Sequence, residues 1–120
     1  MGQSYRDPIA WQKAMALLTQ LYQSTQTFPR EERYGLTNQL RRAAVSVPSN
    51  IAEGQARFSA KEFHRFLSNA RGSPVGIETQ IQIAVHLAYL TSAEGNRLSE
   101  ATAELGRILN GLLASIKARA

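Results

Sequence analysis

The sequence predicts an all-α protein: an antiparallel, up-down-up-down four-helix bundle, a single domain over residues 1–120, with kinks in its second and third helices. Three observations lead there. Apolar residues recur at steps of three and four along four successive stretches, the spacing that gathers side chains on one helix face. Those stretches, about 8–27, 31–57, 60–90 and 92–118, are joined by short turns, which set neighbouring helices antiparallel at crossing angles near ~20°. With 120 residues and 43% apolar content, the chain can bury roughly two-thirds of its unfolded surface in one core.

The first helix opens at Asp7-Pro8, an N-cap followed by proline at the first helical position, where a missing N–H is tolerated. Trp11, Ala14, Met15, Leu18, Leu21, Tyr22 and Thr25 mark its expected buried side. Lys13 is the sole charge between Ile9 and Thr27, so the helix is not expected to be fully washed by solvent. Phe28-Pro29 ends it, because a residue before proline is pushed out of the helical region. A turn containing Gly35 follows.

The second helix carries the stretch QLRRAAVSVPSNIAEG, around which the chain is organised. Leu36, Leu40, Ala43, Ala44, Val47 and Ile51 share one face. Pro48 deprives the Ala44 carbonyl of its partner and costs roughly 3 kcal/mol in an ordinary helix interior. The stripe keeps its phase across Pro48, so a kinked but continuous helix is expected. Ser46 and Ser49 are placed to satisfy the freed backbone groups. Beside the stripe, Arg42, Ser46, Ser49, Asn50, Glu53 and Arg57 cluster on the helical wheel. They form either a solvated face with an Asn–Glu–Arg hydrogen-bond network or a surface that recognises a partner. On the other flank Val45, Pro48 and Ala52 are small and apolar, which suits close approach of another helix.

Ser59-Ala-Lys-Glu62 fits a capping box at the start of the third helix. Phe63, Phe66, Leu67, Ala70, Pro74, Ile77, Ile81, Ala84 and Ala88 keep the helical rhythm through Gly72-Ser73-Pro74, so the helix is expected to bend there rather than stop, and to reach Leu90. Ile83, Leu87 and Leu90 fall on a second side, leaving Glu78, Thr79, Gln82 and His86 as the wet stripe. One core needs one apolar face. A second points to burial against another subunit, through Val45, Pro48, Ala52, Ile83, Leu87 and Leu90, or to a long helix burying a wide arc. Thr91-Ser-Ala-Glu94 is a second capping box. The fourth helix turns Leu98, Ala101, Leu105, Ile108, Leu109, Leu112 and Ile116 inward, with Glu100, Glu104, Arg107 and Lys117 outward.

Several function classes are disfavoured. The absence of cysteine removes disulfides, thiolate metal sites and cysteine nucleophiles. None of the glutamates has a histidine three residues on, as di-iron bundles require, and His64 and His86 stand about six turns apart on one helix. The one aspartate, Asp7, caps a helix, so a Ser–His–Asp set has no member to orient its histidine. No phosphate-cradling glycine loop is present, no catalytic residue can be named, and no cofactor or metal is implied. No apolar leader or membrane-length apolar run occurs, and a cytoplasmic location is expected with no membrane contact.

The formal charge is +5, and eleven of the fourteen basic residues are arginine. Arginine favours bidentate contact with carboxylate and phosphate, although a GC-rich genome produces the same bias. Lys61, His64, Arg65, Ser68 and Arg71 share the outer face of the third helix's first half, with Arg57 just before it and Arg41 and Arg42 on the neighbouring helix. Arg41, Arg42, Arg57, Lys61, Arg65 and Arg71 are therefore the candidate phosphate contacts for RNA or DNA. The same face could serve solubility alone. No aromatic interleaving for base stacking is read from these residues, so sequence-specific reading is not expected.

YGLTNQLRRAAVSVPSNIAEG, followed by FSAKEFHRFLSNARGS, closely resembles the four helix bundle protein family encoded in intervening sequences of bacterial 23S ribosomal RNA genes. The resemblance runs from about Trp11 to the RIL segment at Arg107–Leu109, departing at Pro74 and Gly76. It implies a homo-oligomer, a pentameric ring in the family's characterised structures. A related branch, the accessory variability protein of diversity-generating retroelements, is a basic pentamer that associates with a reverse transcriptase and binds nucleic acid, a partner reached here by analogy alone. The motif residues Arg41, Arg42, Ser49, Asn50, Glu53 and Gly54 carry over without any catalytic role. Two functions from different classes follow: a non-enzymatic oligomeric nucleic-acid binder or RNA-associated accessory protein, and a protein-interaction scaffold whose arginines form only surface ion pairs.

Overall fold

Four helices and one short turn of 3-10 helix account for the architecture in the computed structural model, which describes the backbone of residues 8–119 and the side chains of 8–116. In order these are α1 (Pro8–Thr25), the 3-10 turn (Arg30–Glu32), α2 (Leu36–Gln55), α3 (Ala60–His86) and α4 (Ser92–Arg119). No strand occurs among the described residues. Asp7 and the side chain of Lys117 lie outside them. The longest dimension is 46 Å, close to the ~42 Å of a 28-residue helix, so the helices lie along the long axis.

The core is a single cluster fed by every helix, including Leu21, Leu40, Ile51, Phe63, Ile77 and Leu105, each at 1% exposure or less. Each such large side chain contributes about 1.5–3 kcal/mol through burial. Contacts between α2 and α3 step backward along one helix as they step forward along the other: Gly54 meets Phe63, Ser46 meets Ser73, and Glu32 just before α2 meets Tyr89 just after α3.

Both internal prolines sit inside unbroken helices and are buried. The Ser46 hydroxyl donates to the Ala43 carbonyl (3.0 Å), not to Ala44 as expected, and Ser49 points to solvent. A serine two residues before the proline reaches back three residues, one carbonyl past the one Pro48 frees.

In α1 the buried line is Ala10, Ala14, Leu17, Leu21 and Thr25: Ala14, Leu21 and Thr25 as expected, with Ala10 and Leu17 added and Met15 and Leu18 half-buried beside it. Trp11 and Tyr22 stay 39% and 37% exposed. Small alanines let the helix axis approach its neighbours, and the bulky rings are left at the rim. The helix stops at Thr25, two residues short of expectation, where the Thr25 hydroxyl donates to the Leu21 carbonyl (2.7 Å) ahead of Phe28-Pro29. The expected start of the second helix at 31 is instead the 3-10 turn. Helix α2 begins at Leu36, whose N–H is taken by the Glu32 carboxylate at 3.0 Å.

Helix α3 ends at His86 rather than Leu90. Leu87 closes it, and Ala88 adopts a left-handed conformation with φ 62°, which turns the chain so that Leu90 enters the core at 5% exposure. Leu90 is therefore a core residue and not part of a second apolar side. The same correction applies to Pro48, buried within its own bundle. Val45, Ile83 and Leu87 are exposed at 40%, 43% and 50%, and Ala52 is exposed too. In α4 the expected inward residues are buried or half-buried, and they are joined by Leu113 and by Thr102, whose hydroxyl donates to the Leu98 carbonyl (2.7 Å).

Only one capping box closes fully. Thr91 N–H donates to the Glu94 carboxylate (2.9 Å) while Glu94 N–H donates to the Thr91 hydroxyl (3.1 Å). At Ser59 only the forward half forms, from Glu62 N–H (3.1 Å), because the Glu62 carboxylate is drawn to Arg65.

Candidate nucleic-acid interface

The six basic candidates divide into three situations. Arg41 is half-buried and works as a brace: its Nε donates to the Thr25 hydroxyl (2.9 Å), a terminal nitrogen donates to the Tyr22 carbonyl (3.2 Å), and the guanidinium lies 4.5 Å from the Tyr22 ring centre. These contacts turn it toward α1 and away from the face of α3. Arg57 and Arg65 are exposed but paired, Arg57 with Glu53 (2.6 Å) and Arg65 with Glu62 (2.8 Å). Arg42, Lys61 and Arg71 are exposed, and among the described residues none of them forms an ion pair.

Glu62 is held below the usual carboxylate range, chiefly by its hydrogen bond from Arg65 and then by that charge. The pair is therefore intact at neutral pH, but an exposed pair of this kind is screened by water and can exchange its carboxylate for a phosphate.

Aromatic residues do interleave with this face. Phe58, in the connection between α2 and α3, is 90% exposed between Arg57 and Lys61. Phe66, expected in the core, is half-buried, and the guanidiniums of Arg65 and Arg57 lie 4.5 Å and 5.1 Å from its ring centre. The sequence signal was present in the pairs Arg57-Phe58 and Arg65-Phe66. Helical phase masked it, because Phe66 fits the apolar rhythm and Phe58 falls in a loop.

Of the Asn–Glu–Arg network, the Glu53–Arg57 link forms and Asn50 stands apart from it. Asn50 donates to the Ser46 carbonyl (2.8 Å), Glu53 pairs with Arg57, and Ser49 is exposed, so Asn50 serves its own helix. Gly54 has a packing role: a Cβ there would stand 2.7 Å from a ring carbon of Phe63 and 3.1 Å from the Cβ of Phe66. His64 lies 3.5 Å from the Ser68 hydroxyl, and His86 contacts the Gln82 carbonyl at 3.0 Å. Among the described residues no three metal-ligating side chains come together, and no helix is long and apolar enough to cross a membrane.

The sequence profile of the 23S rRNA-intervening sequence protein family matches residues 6–111. The chain belongs to this family. That span takes in the candidate basic face, the motif residues and both proline-containing helices. Among solved structures, a protein of unknown function from the S23 ribosomal protein family of Bacteroides thetaiotaomicron superposes with a TM-score of 0.77. It is 16% identical, and the alignment covers 87% of this chain and 97% of that one, so the likeness is one of fold. No curated protein matches the sequence.

Proposed function

We propose that this family member is a non-enzymatic, self-associating bundle of the cytoplasm that holds nucleic acid on the face built by the start of α3 and the loop before it. The carrying observation is Phe58, a bare aromatic ring set between Arg57 and Lys61. Arg42, Lys61 and Arg71 supply phosphate contacts, Arg57 and Arg65 join them by trading carboxylates for phosphates, and Phe58 offers a stacking surface to an unpaired base. Arg41 drops out of this set, since its contacts turn it toward α1 and away from the face of α3. Self-association, as the pentameric ring that the resemblance implies, buries Val45, Ala52, Ile83 and Leu87 and repeats the basic face around an axis.

Fluorescence anisotropy with a structured RNA that carries a single-stranded loop tests the reading. Affinity should fall steeply with salt, and Phe58→Ala should weaken binding by about 5- to 100-fold without altering the unfolding midpoint. Binding no tighter than micromolar at low salt, with no salt slope, defeats the proposal.

A second reading has its own support. The Glu53–Arg57 and Glu62–Arg65 pairs already neutralise part of the face, which suits a protein-interaction scaffold. Its partner, a reverse transcriptase by analogy, should be retained on the protein after nuclease treatment.

A further inference from the structure

We propose that the corner between α1 and α2 is a binding pocket for a phosphate group, formed by Arg30, Arg33 and Arg41. A cavity of about 440 Å³ opens there, lined by these three arginines together with Gln26, Thr37 and Asn38. Its size lies within the ~300–1,000 Å³ range of small-ligand sites. Guanidinium, amide and hydroxyl groups can all donate hydrogen bonds to an oxyanion, and arginine does so bidentately.

The local fold explains why the cavity is lined by cations and by no carboxylate. A 3-10 turn repeats every three residues, so Arg30 and Arg33 stack on one side of the Arg30–Glu32 turn. Glu32 is carried to another side, where one oxygen accepts from Leu36 N–H (3.0 Å) and the other from the Tyr89 hydroxyl (2.9 Å). Arg41 is braced from behind by Thr25, itself 3% exposed, and by the Tyr22 carbonyl. Those two contacts leave three of its five N–H groups uncommitted. Among the described residues none of the three arginines forms an ion pair.

Three like charges around one small cavity repel one another, and a dianionic phosphate monoester relieves that repulsion. Phe28 and Pro29 give the cavity an apolar wall for whatever carries the phosphate. The group can come from a small phosphorylated molecule or from the terminal phosphate of a nucleic-acid strand. The pocket is distinct from the Phe58 end of the proposed nucleic-acid face: the length of α2, about 30 Å, separates Thr37 from Phe58, while Arg42 of that face directly follows Arg41.

Isothermal titration of the full chain with phenyl phosphate, and with a trinucleotide bearing either a 5′-phosphate or a 5′-hydroxyl, tests the assignment. None of these probes can reach from the pocket to Phe58. Phenyl phosphate should bind, about tenfold or more weakly to Arg30→Gln/Arg33→Gln and with unchanged affinity to Arg97→Gln/Arg107→Gln on α4. Both double variants alter exposed side chains, and their unfolding midpoints report whether the fold is kept. A trinucleotide preference for the 5′-phosphate that disappears in Arg30→Gln/Arg33→Gln assigns a strand terminus. Equal binding of the two trinucleotides, with phenyl phosphate still bound, assigns a small molecule. Absence of phosphate binding up to about 10 mM, or an affinity that the Arg30→Gln/Arg33→Gln change leaves untouched, overturns the proposal.

Discussion

The Ser46 hydroxyl lies 2.5 Å from the Ser73 hydroxyl, joining α2 to α3 beside both buried prolines. Ser46 commits its single proton to the Ala43 carbonyl, so Ser73 is the donor across the helix pair. A double-mutant cycle on Ser46→Ala and Ser73→Ala should give a coupling of about 0.5–1.5 kcal/mol in urea unfolding. Strictly additive effects mean that the contact does not form in solution.

Two glycines should respond to alanine with opposite signs. Gly54 faces the Phe63 ring so closely that a methyl group must displace a fully buried side chain. Gly54→Ala should cost about 1–3 kcal/mol, partly offset by the better helix propensity of alanine. Gly72 in α3 has nothing within 4 Å of where its Cβ would stand, and Gly72→Ala should stabilise by about 0.5–1 kcal/mol. Melting curves of the two variants that move the same way contradict this packing.

Glu32 and Tyr89 should titrate as a linked pair. The Leu36 N–H first and the Tyr89 hydroxyl second hold the Glu32 carboxyl below its usual range, while the bond to Glu32 is the main cause of a raised Tyr89. A depressed carboxyl contributes stability above the usual carboxylate range and loses it as pH falls through its folded value. A raised phenol contributes below the usual phenol range and loses it as pH climbs through its folded value. Glu32→Gln should therefore flatten the acid limb of stability against pH, without removing the share due to Glu62 and Glu94, which are also depressed. It should also bring the Tyr89 ultraviolet titration down toward ordinary tyrosine. An unmoved Tyr89 curve refutes the link.

How much of this was legible in advance depended on which signal a residue carried. Helix number and order could be read, because Leu40, Val47, Ile51, Leu67, Ile77 and Leu105 repeat at helical spacing and are buried on that spacing. The prolines were read correctly as lying inside helices, since apolar phase survives them. The end of α3 was misread because Leu87 and Leu90 extend the rhythm past the point where Ala88 takes a left-handed turn, and alanine gives no sign of that. Trp11 and Tyr22 misled for a related reason: hydrophobicity alone cannot say that Ala10 and Leu17 take the inner line while the rings stay at the rim. Spacing could group Arg57 with Arg65, whose guanidiniums both lie beside Phe66. Periodicity could not reveal that Arg41 turns inward or that Phe58 stands in the open, since both depend on contacts between elements and on loop geometry.

Self-association should hinge on the exposed end of α3. Ile83 and Leu87, one helical turn apart, present 43% and 50% of their surface to solvent. Ile83→Asp/Leu87→Asp should convert a multi-subunit species into a 13.2 kDa particle by light scattering while leaving helical content unchanged. A wild-type chain that already scatters as one subunit at tens of micromolar ends the ring hypothesis.

The reversal at Ala88 reaches beyond the helix it closes. By swinging Tyr89 back onto Phe28 (ring centres 5.4 Å apart) and onto Glu32, it clasps the hinge between the last two helices to the hinge between the first two. Glu32 in turn fixes where α2 begins and keeps a negative charge away from Arg30 and Arg33. A β-branched side chain at position 88, which resists the left-handed bend, would thus loosen a corner of the molecule more than fifty residues upstream.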